Sequence, residues 1–355
     1  MPAKVRVHLR SIVDTSYDIV IGLDLQRIVR TIMDNFPTAK KFVISDSTVE
    51  KLYGEYFRRP SFHHLVVPAG ERSKSRRTKE QLENKLLTSG AHRDSLIIAL
   101  GGGMIGDLAG FVASSLFRGI PFIQVPTTLL AQVDSSIGGK VAVDHPSGKN
   151  LIGAFYQPKK VYIDPGTLRT LSDREFSNGM AEVIKYATIL DRDLFDELEQ
   201  EHSKIIQRNE KILLRIIKRC CDLKRMVVER DERESDFRRI LNFGHTIGHA
   251  IEYLSKYRIS HGRAVAIGMV AESQISSRLG LLPESNVDRI ASLLKKYNLP
   301  TKIPPTVELK EIVGATKQDK KVFREMVHYT LLERIGRARA GVKLSTPQVQ
   351  RLLKT

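Results

Sequence analysis

Three histidines stand within NFGHTIGHAIEYLSKYRISHG, residues 242–262. His245 and His249 are four apart, the spacing of neighbours on one helix face, and His261 follows twelve residues later. Imidazoles paired in this way ligate zinc in a metalloprotease pattern that also places a glutamate directly after the first histidine. Thr246 occupies that position here, so the protease reading fails. A third ligand must come from elsewhere. SHG at 260–262 offers His261, and NGMAEVIKYA at 178–187 offers Glu182, in an apolar helical stretch where a lone carboxylate is costly unless paired or metal-bound. Two histidines, a glutamate and an open position make a catalytic-zinc pattern. Any one of these residues alone is better explained as a satisfied core or surface group. Lys185, Arg238 and Asn242 beside them weaken that explanation for the set.

A second chemistry lies in LIIALGGGMIGDLAG, residues 96–110. A buried strand runs into Gly101, Gly102, Gly103 and Gly106 and then into a helix opening near Asp107. Glycines let backbone approach a phosphate, and the helix start supplies free N–H groups. The spacing is neither the G-x-G-x-x-G dinucleotide fingerprint nor a Walker loop. Alone it fits a tight packing turn as well as a diphosphate. Two further strand ends raise the odds. SDS at 45–47 places Asp46 where a carboxylate can meet a ribose hydroxyl, and PAGERSKS at 68–75 carries Glu71 and Lys74.

The elements that must hold these residues divide the chain. KVRVHLRSI and YDIVIG suggest an opening hairpin. KKFVISDS, HHLVVPAG, DSLIIALGGG, PFIQVPTT and KVYID are short apolar or β-branched runs ended by turn residues, with helix-favouring stretches such as SKSRRTKEQLENKLLTSG between several of them. Such alternation predicts a Rossmann-like α/β domain with a mostly parallel sheet, residues 1–165, closed by Asp164-Pro165. Beyond it Ile212, Ile216, Cys220, Leu223 and Val227 recur at helical spacing, and residues 166–355 are expected to be all-helical and to carry metal and substrate.

Composition narrows the class. The chain of 355 residues suits two domains, and 41% hydrophobic with 27% charged residues is globular. Its two cysteines are the adjacent Cys220 and Cys221, poorly placed for a disulfide and too few for a closed zinc site. With no signal-like start and no membrane-length apolar run, a cytoplasmic location is expected. The net charge of +17 raises nucleic acid as a partner, but basic residues are spread among acids and no reading motif accompanies them. A charged solvated surface explains it better, and a polyanionic small substrate would benefit from the field.

The blocks GGGMIGDLAGFVAS, RGIPFIQVPTTLLAQVDSSIGGK, GKNLIGAFYQP, REFSNGMAEVIKYA, LNFGHTIGHAIE and HGRAVAIGM, in this order, resemble those of the 3-dehydroquinate synthases over roughly residues 40–340. Other sugar-phosphate cyclases share much of the set, and polyol dehydrogenases share less. The resemblance implies Zn2+ or Co2+ on Glu182, His245 and His261, with His249 handling substrate hydrogen bonds and protons. It implies a shikimate-pathway lyase. This cyclises 3-deoxy-D-arabino-heptulosonate 7-phosphate to 3-dehydroquinate and phosphate through transient oxidation by NAD+, phosphate elimination, re-reduction, ring opening and aldol closure.

By the same resemblance, Asp134, Lys140, Asn150, Lys185, Lys224, Glu234, Arg238, Asn242 and His249 would serve the substrate, with Arg118 arriving from the second subunit of a homodimer and Lys320 or Lys321 adding a late contact. NAD+ would lie along Asp46, Glu71, Lys74, Gly102, Gly103, Met104, Ile105, Gly106, Asp107, Thr127, Thr128, Lys140, Lys149, Thr167, Leu168, Arg169, Thr170 and Leu171. Thr48 stands where the family often has asparagine, and Thr167 where some members carry an aromatic or cysteine. Closure about a hinge near residue 165 is expected. The rival readings are a cyclase for glucose 6-phosphate or sedoheptulose 7-phosphate, a polyol dehydrogenase and a basic nucleic-acid binder. Lys224, Arg238, Asn242 and His249 together favour a substrate with a carboxylate.

Overall fold

A computed structural model describes residues 14–316 and 326–354. The first half supplies β1 (Asp18–Ile21), β2 (Lys41–Asp46), β3 (Phe62–Val67), β4 (Leu96–Gly101), β5 (Phe122–Pro126), β6 (Lys140–His145), β7 (Gly148–Phe155) and β8 (Lys160–Ile163). Six of these form one sheet in the order β1-β8-β5-β4-β2-β3, and every pairing in it is parallel. β6 and β7 form a separate antiparallel hairpin.

Helices α1 (Leu25–Asn35), α2 (Ser47–Tyr53), α3 (Arg76–Thr88) and α4 (Gly103–Ser115) alternate with the strands. Side chains alternate across the sheet. Phe42, Ile44 and Ile97 join a core with Leu108 and Val112 of α4, while Val43, Ile98 and Leu100 join Ile28 and Ile32 of α1. Because both faces are covered, β2, β4 and β5 are buried throughout, which is why they read as unbroken apolar runs. The chain lays β3 on one side of β2 and β4 on the other, so the order reverses there. A ligand crevice opens outside the carboxyl ends of strands at such a reversal; here those ends are Asp46 and Gly101.

The second half contains α5 (Asp173–Leu190), α6 (Arg192–Gln200), α7 (His202–Ile206), α8 (Glu210–Arg230), α9 (His245–Leu254), α10 (His261–Arg278), α11 (Glu284–Lys296), α12 (Leu309–Ala315) and α13 (Thr346–Leu353). The expectation that it is all-helical needs correction. β9 (Met326–Arg334) and β10 (Arg337–Ser345) form an antiparallel hairpin. Val327, Tyr329 and Leu331 of β9 are buried in a core with α9 and α10, a period of two that the long helical runs before it obscured. Of the opening hairpin, KVRVHLRSI lies outside the described residues, and β1 pairs in parallel with β8. Lys320 and Lys321 also lie outside them. No described helix is long and apolar enough to cross a membrane.

Candidate active site

Glu182 sits mid-way along α5, and His245 and His261 are the first residues of α9 and α10. Close packing sets their spacing. A side chain at Gly268 of α10 would put its Cβ 1.9 Å from the Gly244 carbonyl oxygen, and one at Gly262 would lie 2.1 Å from the Asn178 carbonyl oxygen of α5. The three helices therefore meet backbone to backbone where the ligands project.

The Nε2 atoms of His245 and His261 lie 3.4 and 3.3 Å from the same oxygen, Oε1 of Glu182. His245 Nδ1 is 3.1 Å from the Phe243 carbonyl oxygen, and His261 Nδ1 is 3.1 Å from Glu252 Oε2. Each Nδ1–H therefore has an acceptor, which leaves each Nε2 lone pair aimed at the carboxylate. Both oxygens of Glu182 are buried without a well-directed hydrogen bond, although the Lys185 ammonium pairs with Oε2. Three lone pairs converging on one point repel unless a cation lies between them, so the donor set fits a divalent metal.

The electrostatics register the negative charge of the two glutamates, Glu182 and Glu252, which a proton on His261 or a bound cation would offset. Burial alone would raise the Glu182 carboxyl, but Lys185 and His245 hold it well below the carboxylate range. Burial pushes His245 down. His261 resists its burial, because Glu182 and Glu252 pull it up to about 10. His249 lies at the exposed rim, its ring 5.2 Å from His245 and 5.9 Å from His261. A second grouping of potential ligands, His249, Glu252 and His261, shares His261. It is the poorer set, because Glu252 is already engaged by His261 Nδ1 and by Lys149 Nζ at 3.2 Å.

Beside this cluster stand buried cations. Lys185, Lys224 and Arg238 are each at most 5% exposed. Lys224 Nζ is 2.8 Å from Asp134, on a single π-helical turn, Ala131–Ser135; Tyr186 also donates to that carboxylate. Burial of Asp134 is overcome by Lys224 and Lys185, which hold its carboxyl far down. Burial, aided by Arg238, lowers the Lys224 ammonium to about 8. Arg238 donates to the carbonyl oxygens of Gly138 and Glu232. Glu234 accepts from Asn242 Nδ2 at 2.7 Å and pairs with Lys140. Thus all but Arg118 and Lys320 of the proposed substrate residues fall on connected elements. Arg118 is exposed and, among the described residues, has no hydrogen-bond or ion-pair partner for its side chain.

The glycine turn lies next door. An added Cβ on Gly103 would meet Ser135 Oγ at 2.8 Å and Leu130 Cδ2 at 3.7 Å, and one on Gly179 of α5 would meet Leu130 N at 2.6 Å. Leu130 therefore touches both the turn and the helix carrying Glu182. Gly102, Gly103, Met104, Ile105, Gly106 and Asp107 open α4, where Ile105 is fully buried and can offer only backbone. Asp107 Oδ2 accepts from Lys74 Nζ at 2.5 Å, and that ammonium also reaches Asn150 Oδ1 at 2.5 Å and lies 3.9 Å from Glu71. Asp46 Oδ1 caps α2 through Thr48 N–H and Val49 N–H.

The Thr127 N–H bonds the Gly101 carbonyl oxygen, and Thr128 Oγ1 accepts from Ala131 N–H. Thr167 and Thr170 are tied to Gln132 and Tyr53. Leu168 is buried, Leu171 half-buried, and Arg169 faces outward to Glu210. Sequence reasoning missed Glu252 and Glu272, which are 3% and 0% exposed. A lone glutamate in HAIEYL and another in GMVAESQIS were the available signal.

The comparisons agree with the geometry. Residues 64–178 match the model "3-dehydroquinate synthase N-terminal" and residues 179–322 match "3-dehydroquinate synthase C-terminal". The chain is 46% identical to the 3-dehydroquinate synthase of Pelobacter propionicus, covering 91% of this chain and 92% of that one. It is 42% identical to that of Thermodesulfovibrio yellowstonii, covering 99% of both. Among solved structures, the 2-epi-5-epi-valiolone synthase of Streptomyces hygroscopicus, with NAD+ and Zn2+ bound, superposes with TM-score 0.89 at 28% identity over 98% of both chains. A 2-deoxy-scyllo-inosose synthase complexed with carbaglucose-6-phosphate, NAD+ and Co2+ gives 0.84 at 30% over 94% of this chain and 95% of that one. A glycerol dehydrogenase of Schizosaccharomyces pombe, at 17% identity and TM-score 0.65, shares the fold. With its matched segments spanning most of its length and relatives this similar end to end, the chain belongs to the 3-dehydroquinate synthase family.

Proposed function

We propose that this chain converts 3-deoxy-D-arabino-heptulosonate 7-phosphate into 3-dehydroquinate and phosphate, a phosphate-eliminating lyase step. The observation that carries this reading is the convergence of two imidazole nitrogens on Glu182, in a helix that packs on Leu130, the residue that also packs on the glycine turn. Glu182, His245 and His261 would hold Zn2+ or Co2+, and NAD+ would lie along the carboxyl ends of β2 and β4. The metal makes a substrate hydroxyl more acidic, and the nicotinamide takes and later returns the hydride of that carbon.

The protein's own groups do the rest. Lys185, Lys224 and Arg238 are buried cations beside the buried Glu182 and the half-buried Asp134, so the pocket favours an anionic substrate. Lys140 and Asn242, joined through Glu234, are poised to exchange that carboxylate for substrate oxygens. His249, exposed at the rim, can pass a proton between solvent and substrate.

A homodimer, a cytoplasmic location and two domains hinged near residue 165 belong to the same proposal. Exposed Phe117, Leu151 and Phe155 support the first, and buried free thiols at Cys220 and Cys221 support the second. The test is incubation with the heptulosonate phosphate, NAD+ and zinc. Stoichiometric phosphate without lasting NADH absorbance is expected. Lasting NADH indicates a dehydrogenase instead, and turnover only of another sugar phosphate selects a related cyclase.

A further inference from the structure

Glu252 lies on α9, between the two halves of the proposed site, and is 3% exposed. Its two oxygens face different partners. Oε2 is 3.1 Å from His261 Nδ1, and Oε1 is 3.2 Å from Lys149 Nζ. Lys149 belongs to β7, part of the hairpin contributed by the sheet half. Its ammonium also sits 4.6 Å from the centre of the Tyr257 ring, just beyond α9, which favours a cation on its face. The next residue, Asn150, accepts from Lys74, whose ammonium also holds Asp107 of α4. Polar contacts therefore run from Asp107 through Lys74 to Asn150 and, one residue back along β7, from Lys149 through Glu252 to His261, linking the glycine turn to the histidine cluster.

We propose that Glu252 is a positioning residue that joins the two halves of the site: one oxygen fixes the His261 ring so that Nε2 faces Glu182, and the other anchors the β6–β7 hairpin through Lys149. The inference rests on the proposed cation site. An imidazole can rotate about its side-chain bonds, and an acceptor on Nδ1 fixes both its tautomer and the direction of Nε2. A carboxylate does this better than a carbonyl, because it also makes the ring a stronger donor to a metal. His245 has only the Phe243 carbonyl oxygen for this purpose. His261, with the stronger support, is the better fixed of the two. Tying that support to Lys149 makes the placement of the hairpin and the aim of His261 depend on one side chain.

Glu252→Gln and Glu252→Ala are to be compared with the native protein. Zinc affinity is read by competition with a chromophoric chelator, without substrate or NAD+. The native protein is expected to bind one zinc, and Glu252→Ala to bind about 10- to 100-fold more weakly, with Glu252→Gln between the two because its carbonyl oxygen can still accept from Nδ1. Hydrogen exchange of the metal-free proteins reads the other arm. Amides of residues 140–155 should exchange about fivefold faster in both variants, from loss of the ion pair, with the thermal midpoint of the Gln variant close to native. Absence of zinc binding in the native protein overturns the cation site itself. Native zinc binding with a variant affinity within twofold of it overturns the His261 role, and unchanged exchange in the hairpin overturns the joining role.

Discussion

His245 and His249 share a helix face, yet their surroundings differ. His245 is half-buried with Nε2 directed at Glu182, whereas His249 stands at the solvent rim. Helix spacing alone pairs the two, and the geometry instead pairs His245 with His261. His245→Ala should therefore lose zinc and activity together, while His249→Ala should slow turnover with zinc content after dialysis unchanged; equal zinc loss in both would reverse the assignment. Lys224 permits a pH prediction. Its ammonium, lowered by burial to about 8, is charged below that pH and neutral above it. If its charge binds a substrate anion, kcat/KM falls as pH rises through about 8. Lys224→Arg keeps a charged group and should extend activity to higher pH, at a lower plateau because the planar fork fits a lysine site poorly. A profile flat from pH 7 to 10 in the native enzyme would remove Lys224 from substrate binding.

Helix α9 begins at His245 behind Gly244, whose left-handed φ of 77° and missing side chain leave the helix without a cap of its own. Glu272 of α10 supplies one from across the interface, accepting from Gly244 N–H at 2.7 Å and Ile247 N–H at 3.3 Å. The helix that starts with His261 thereby holds the start of the helix that carries His245. Glu272→Gln retains the volume but turns an NH2 toward one of those donors. It should cost about 1–3 kcal/mol in denaturant unfolding, the penalty for a buried unsatisfied group, and weaken zinc binding as well. An unchanged unfolding midpoint would show that the cap is dispensable. This arrangement was not legible in the sequence, because a cap from another helix leaves no local spacing signal. β2, β4 and β5 were legible, since burial on both faces makes each a compact apolar run between turn residues. β9 was not, because its alternation of Val327, Tyr329 and Leu331 follows long helical segments and its partner β10, RARAGVKLS, buries only Leu344. Glu182 was legible because a carboxylate in an apolar helix demands a partner.

At the scale of the whole molecule, Arg118 is the proposed substrate residue with no local explanation. It follows Phe117 in a turn where both non-glycine residues adopt left-handed φ values, 51° and 68°. That conformation costs energy in residues with a Cβ and persists where surrounding structure or function requires it. The turn is held by the Gly119 N–H to Leu116 carbonyl bond and lies against Tyr156, whose hydroxyl donates to the Ile120 carbonyl oxygen at 2.8 Å. It thus presents an exposed aromatic ring and an exposed cation together, near the hairpin that shows Leu151 and Phe155 to solvent. Exposed apolar side chains beside a cation of this kind suit an interface between copies of the chain, in which each copy completes the other's pocket. Coexpression of Arg118→Ala with His245→Ala tests this directly, because each variant alone has two defective sites. In a mixed dimer one site combines the intact arginine of one subunit with the intact histidine of the other, while its second site carries both defects. Random pairing makes half of the dimers mixed and gives each one working site of two, so activity should recover to about a quarter of native. If Arg118 served the pocket of its own subunit, every mixed dimer would hold one single defect in each site, and coexpression would recover nothing.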